Sequence, residues 1–113
     1  MTPQDFASQL NAAVVEENMA TYRSLFINTR IEQATDPYWK RALSLFHDLS
    51  SEQREILLEI VRQVAVDATA NVLGVIDGVC RLQSAHSKFE LTCESQELSG
   101  DLQGLFLEEA ERD

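Results

Sequence analysis

The side chains of this chain that could perform chemistry are few. They are two histidines, His47 and His86, two cysteines, Cys80 and Cys93, and a surplus of carboxylates, 19 Asp and Glu against 9 Lys and Arg. Nucleophilic catalysis needs a Ser or Cys beside a His that an acid orients. His47-Asp48 falls near the end of an expected helix, where a cationic imidazole complements the carbonyl dipoles, so a structural role is read there. His86 lies in the polar run Ser84-Ala85-His86-Ser87-Lys88, which reads as a solvated loop. Cys93 falls in a strand pattern and reads as packed rather than reactive. Two thiols without a CxxC or a Cys/His cluster make neither a zinc site nor a disulfide framework. There is no HExxH, no Glu-x-x-His pair and no calcium-loop spacing. Glu52, Glu55 and Glu59 share a helix face, but Arg54 and Arg62 interleave with them, as on a solvated, salt-bridged surface. No glycine-rich phosphate loop follows a strand. The expectation is a protein without catalytic residues, metal or cofactor.

What remains is charge. The formal net charge is −10. That argues against nucleic acid or an anionic membrane as direct partner, since both need Lys and Arg to neutralise phosphates. It suits a cationic protein partner, and it equally suits mere solubility. The distribution is more informative than the total. From residue 90 to the end, eight acids stand against Arg112 alone, while the rest of the chain is nearly balanced. Seven of those acids, Glu90, Glu94, Glu97, Asp101, Glu108, Glu109 and Glu111, together with Asp77 further upstream, are the candidate partner-binding residues.

The elements that must position them follow from capping and periodicity. Thr2 is a candidate N-cap, Pro3 suits the first helical position and Asp5 completes a capping box. Phe6, Leu10, Ala13 and Val14 then recur at helical spacing, followed by Met19, Tyr22, Leu25 and Phe26. A slip in phase around Glu16-Glu17-Asn18 allows one long helix over 3–28 or two joined ones, with Asn18 able to cap the second. Residues 29–36 break the pattern. Asp36-Pro37 restarts a helix whose stripe is Trp39, Leu43 and Phe46; Trp39 reads as core, with an interface anchor as the other reading.

Ser50 and Gln53 form a further capping box. It opens a long apolar helix over about 51–82, with Ile56, Leu57, Ile60, Val61, Val64, Ala65, Ala68, Val72, Val75, Ile76 and Val79 in phase. A helix apolar on nearly all sides is expected to be buried. In it, Asp67 and Asn71 are expected to bond a backbone group or an arginine. Asp77 has two open readings, the same one and membership of an acidic recognition patch. Gly74 and Gly78 each weaken a helix by roughly 1 kcal/mol relative to Ala, which makes sense if close packing needs them or if Gly78 ends the helix.

The period then changes. Phe89, Leu91 and Cys93 alternate with Glu90, Thr92 and Glu94, a strand signal. A turn at Glu94-Ser95 would set Leu98 opposite Leu91 in a short β-hairpin over about 88–99. The rival pairs this strand with Val79–Leu82, setting Cys80 opposite Cys93. Ser99 or Asp101 caps a last helix with Leu102, Leu105 and Phe106 inside and Glu108, Glu109 and Glu111 outside. The expected fold is therefore mainly α, a single-domain helical bundle over 1–113 around the long apolar helix. There is no basic-then-apolar leader pattern and no charge-free stretch of about 20 residues, so a cytoplasmic protein with reduced thiols is expected and no membrane span.

The runs Asn71-Val-Leu-Gly-Val-Ile-Asp-Gly78, Phe89-Glu-Leu-Thr92 and Ser99-Gly-Asp-Leu-Gln-Gly-Leu-Phe-Leu-Glu108 look like those of small uncharacterised bacterial proteins. More loosely, the stretch that holds these runs, about a third of the chain, resembles the small acidic immunity proteins of polymorphic and contact-dependent toxin systems. That resemblance implies a cytosolic antidote that occupies the active site of a basic, nuclease-type toxin domain. The alternative expectation is a structural or assembly protein that forms a homo-oligomer through its helices.

Overall fold

The first helix begins where local chemistry satisfies its open amides. In the computed structural model, which describes residues 1–83 and 88–112, Thr2 Oγ1 accepts from the Asp5 amide at 3.1 Å and the Asp5 carboxylate accepts from the Thr2 amide at 3.3 Å. Helix α1 spans Pro3–Leu10 and runs without a break through a π-helical segment, Asn11–Glu16, into α2, Glu17–Asn28. The phase slip thus marks neither a single regular helix nor two capped ones. A π segment inserts residues into the helical register and rotates the apolar stripe. Asn18 does not cap: its Nδ2 donates to the Val14 carbonyl at 2.7 Å from within the rod.

A 3₁₀ turn, Ile31–Gln33, follows, and α3 spans Pro37–Asp48 with the Asp36 carboxylate accepting from the Tyr38 amide at 2.9 Å. Helix α4, Ser51–Asp77, starts on the Ser50–Gln53 box. At 27 residues it is about 40 Å long. It stops earlier than the apolar period suggests. Gly78 takes a left-handed φ of 82° and the Val79 amide turns back to the Gly74 carbonyl at 2.9 Å, the C-terminal closure that glycine favours. Val79 and Leu82 therefore lie outside the helix and are exposed. A Cβ at Gly78 would meet nothing within 4 Å, so only backbone strain opposes one. Gly78→Ala is expected to lower stability by about 1–2 kcal/mol, read as a lower urea midpoint at unchanged slope.

The hairpin has the expected register. Strands β1, Thr92–Cys93, and β2, Gln96–Glu97, pair antiparallel with Thr92 opposite Glu97 and Cys93 opposite Gln96. Glu94 and Ser95 both take positive φ, 50° and 69°, as a two-residue hairpin turn with native twist demands. The Leu98 amide donates to the Leu91 carbonyl at 2.7 Å. The rival pairing with Val79–Leu82 does not form, and both cysteines are free thiols. Helix α5, Leu102–Ala110, closes the described fold.

Two hydrophobic clusters hold these elements. The larger joins Ala7, Val15, Val66, Ala70, Leu73, Leu102, Phe106 and Ala110, so α1, the π segment, the C-terminal half of α4 and α5 share one core. The smaller joins Phe26, Leu43, Phe46 and Leu58, where α2, α3 and the N-terminal half of α4 meet, with Trp39 half-buried against it. Side by side along α4, the clusters give a long molecule, 50 × 34 × 24 Å.

This arrangement covers α4 on one side only. Ile56, Ile60, Val64 and Val72 are exposed, which corrects the expectation of a buried central helix. Asp67 and Asn71 are exposed too. Asp67 accepts from Gln63 Nε2 at 2.9 Å, needing neither backbone nor arginine. The physical reason is supply: a chain of this size has too few other elements to wrap a helix of that length on all sides.

Candidate acidic interface

The segment richest in carboxylates, the hairpin and α5, hangs on Asp77. This residue is the last of α4, and its two oxygens accept from the Gly100 amide at 2.7 Å and the Gln103 amide at 2.8 Å. Those amides open α5, whose own N-cap residue, Asp101, makes no side-chain cap bond. Asp77 therefore caps α5 from a different helix, and its charge sits at the positive end of the α5 dipole. Of the two readings of Asp77, the structure displays backbone bonding, so its carboxylate is committed to the fold. Gln103 adds a second tie, Nε2 donating to the Ala70 carbonyl at 3.1 Å. Gly74 permits this approach: a Cβ there would lie 2.6 Å from both Cys80 Sγ and Gln103 Nε2.

Glu109 is held as well. It is half-buried, accepts from Ser8 Oγ at 3.3 Å and pairs with Arg112 at 3.5 Å. The other candidates, Glu90, Glu94, Glu97, Asp101, Glu108 and Glu111, are exposed, and none of them belongs to an ion pair among the described residues. They form two groups rather than one. Glu90, Glu94, Glu97 and Asp101 lie on the hairpin and at the head of α5. Glu108 and Glu111 lie at its far end, about 10 Å further along the axis from Asp101. A cleft of about 560 Å³ beneath the hairpin is lined by both signs, Arg81 and Lys88 as well as Asp77, Glu90 and Glu97.

Three arginines elsewhere are tied down. Arg62 reaches Glu16 at 2.9 Å and the Ala110 carbonyl at 3.0 Å, closing the end of α5 against the π segment. Arg23 pairs with Glu55 at 2.9 Å on the salt-bridged face of α4. Arg54 donates to the Phe46 and His47 carbonyls at 2.9 and 2.8 Å and covers the Phe46 ring. His47 Nε2 lies 3.1 Å from the Phe26 carbonyl, which ties the end of α3 to the end of α2. The run containing His86 lies outside the described residues up to Ser87. Among the described residues no three His, Cys, Asp or Glu side chains converge as a metal cage, and no helix is long and apolar enough to cross a membrane.

Sequence reasoning missed the exposed apolar face of α4. The available signal was the four-residue spacing of Ile56, Ile60, Val64, Ala68 and Val72, which draws one line along a helix. No protein-family model matches the chain, and neither curated proteins nor solved structures yield a significant match.

Proposed function

We propose that this protein is a non-catalytic binding protein whose hairpin and α5 receive a cationic protein. The observation that carries the reading is the set of exposed carboxylates at Glu90, Glu94, Glu97, Asp101, Glu108 and Glu111, which enter no ion pair among the described residues, on a hairpin and helix segment that Asp77 and Gln103 tie to α4. Carboxylates that meet no cation at home retain their attraction for a cationic surface, and opposite fields accelerate encounter. The hairpin group and the α5 group would touch two separate cationic regions of the partner.

In its most specific form the partner is a toxin domain with a basic, phosphate-binding active site, and this protein is the cytosolic immunity protein that fills it. That form rests on the resemblance expected from the sequence, and it accords with the need of an antidote for rapid association. The test is affinity capture from the source organism, with the wild-type chain and a variant carrying Glu94→Lys, Glu97→Lys, Asp101→Lys and Glu108→Lys. A basic protein retained in equal stoichiometry by the wild type and lost from the variant is expected. Equal retention by both would overturn the electrostatic reading.

A further inference from the structure

We propose that a second copy of this chain covers the exposed face of α4, through an antiparallel, two-fold pairing centred on Val64. The first argument is area. The chain exposes 7989 Å², whereas a folded monomer of its mass exposes roughly 6,200 Å². Its radius of gyration is 17.6 Å, against about 13 Å for a globular chain of this length. The excess, roughly 1,800 Å² over the whole surface of each chain, doubles to a total within the range of about 2,000–5,000 Å² that obligate homodimers bury.

The second argument is the self-complementarity of the face. Val64 is 61 % exposed, Ile60 56 % and Ile56 47 % on one side of it, and Val72 60 % on the other, with exposed Ala68 between Val64 and Val72. A spacing of four residues makes a single ridge inclined to the helix axis, and two such ridges interdigitate at a crossing of about −50°. With Val64 beside the two-fold axis, the two ridges run antiparallel next to one another, Ile60 nearest Ala68 of the second copy and Ile56 nearest its Val72, so that large meets small near the centre. Any two-fold contact pairs residues about its axis in this way; here the pairing sets the two largest side chains of the face, Ile56 and Ile60, against smaller ones. The third argument sets the salt dependence. Each chain carries a net charge of −10, so the copies repel and screening helps them associate. This surface lies apart from the acidic one and its salt response is opposite, so either reading can fail without the other.

Sedimentation equilibrium on the full chain tests the proposal, between about 1 and 100 μM and at about 0.05 and 0.5 M NaCl. The expected result is twice the 12.7 kDa mass of the chain, with a tighter dimer at high salt. Val64→Glu should raise the dissociation constant at least tenfold at unchanged helical circular dichroism, because the site is exposed in the monomer. Val64→Ser should weaken the dimer less, and Ser44→Glu, exposed on α3, should leave it unchanged. A wild-type monomer under all conditions, or a dimer that Val64→Glu leaves intact, would overturn the proposal.

Discussion

Phe106→Ala is expected to cost about 3–5 kcal/mol of folding stability, the largest loss of any single truncation in α5. The ring has no exposed surface and sits where α5 meets α1 and α4, among Ala7, Val15, Leu73 and Leu102. Two of those neighbours are small or β-branched, and the elements around them are tied by Asp77, Gln103 and Arg62, so collapse into the void is limited. Because a domain of this kind is stable by only about 5–15 kcal/mol, such a loss leaves a substantial unfolded population at moderate temperature. Urea unfolding followed by circular dichroism measures it. Leu105→Ala, at a half-buried position of the same helix, should cost clearly less. Equal effects would mean that the core does not centre on Phe106.

Asp77→Ala is the second large effect, at about 2–3 kcal/mol. The substitution removes both acceptors of the Gly100 and Gln103 amides and the charge at the head of α5. Asp101, which stands at the N-cap position of α5, makes no cap bond that would share the role. Asp77→Asn keeps one acceptor oxygen and should cost about half as much. Native-state hydrogen exchange gives the more specific readout: the Gly100 and Gln103 amides should lose protection in Asp77→Ala before amides of α3 do. Uniform loss across the protein would instead assign Asp77 to the global core. A weakened cap also loosens the hairpin's attachment, so the same variant should bind a cationic partner less tightly although it removes no exposed carboxylate.

These two residues show where legibility from sequence stops. Thr2 with Asp5, Asp36 with Pro37 and Ser50 with Gln53 are helix starts whose donors and acceptors lie within three residues, so the sequence displays them whole. The Leu91–Leu98 register is equally local, fixed by alternation and a two-residue turn. Asp77 differs because its bonded amides lie 23 and 26 residues away, and nothing in the spacing names them. The π segment was visible only as a slip in phase. The apolar residues of α4 were all legible as a helix, but periodicity states which residues share a face and not whether another element arrives to cover it. Among the acids, spacing alone could not separate Asp77 and Glu109, which the fold uses, from Glu90, Glu94, Glu97, Asp101, Glu108 and Glu111, which it leaves in solvent.

The central claim, that these exposed carboxylates receive a cationic partner, meets its most direct test in the dissociation constant of the captured protein measured against ionic strength. The predicted result is a steep weakening, tenfold or more between about 0.05 and 0.5 M NaCl, carried mainly by slower association. A dissociation constant that stays flat over that range, with charge reversals at Glu94 and Glu97 equally silent, would contradict it.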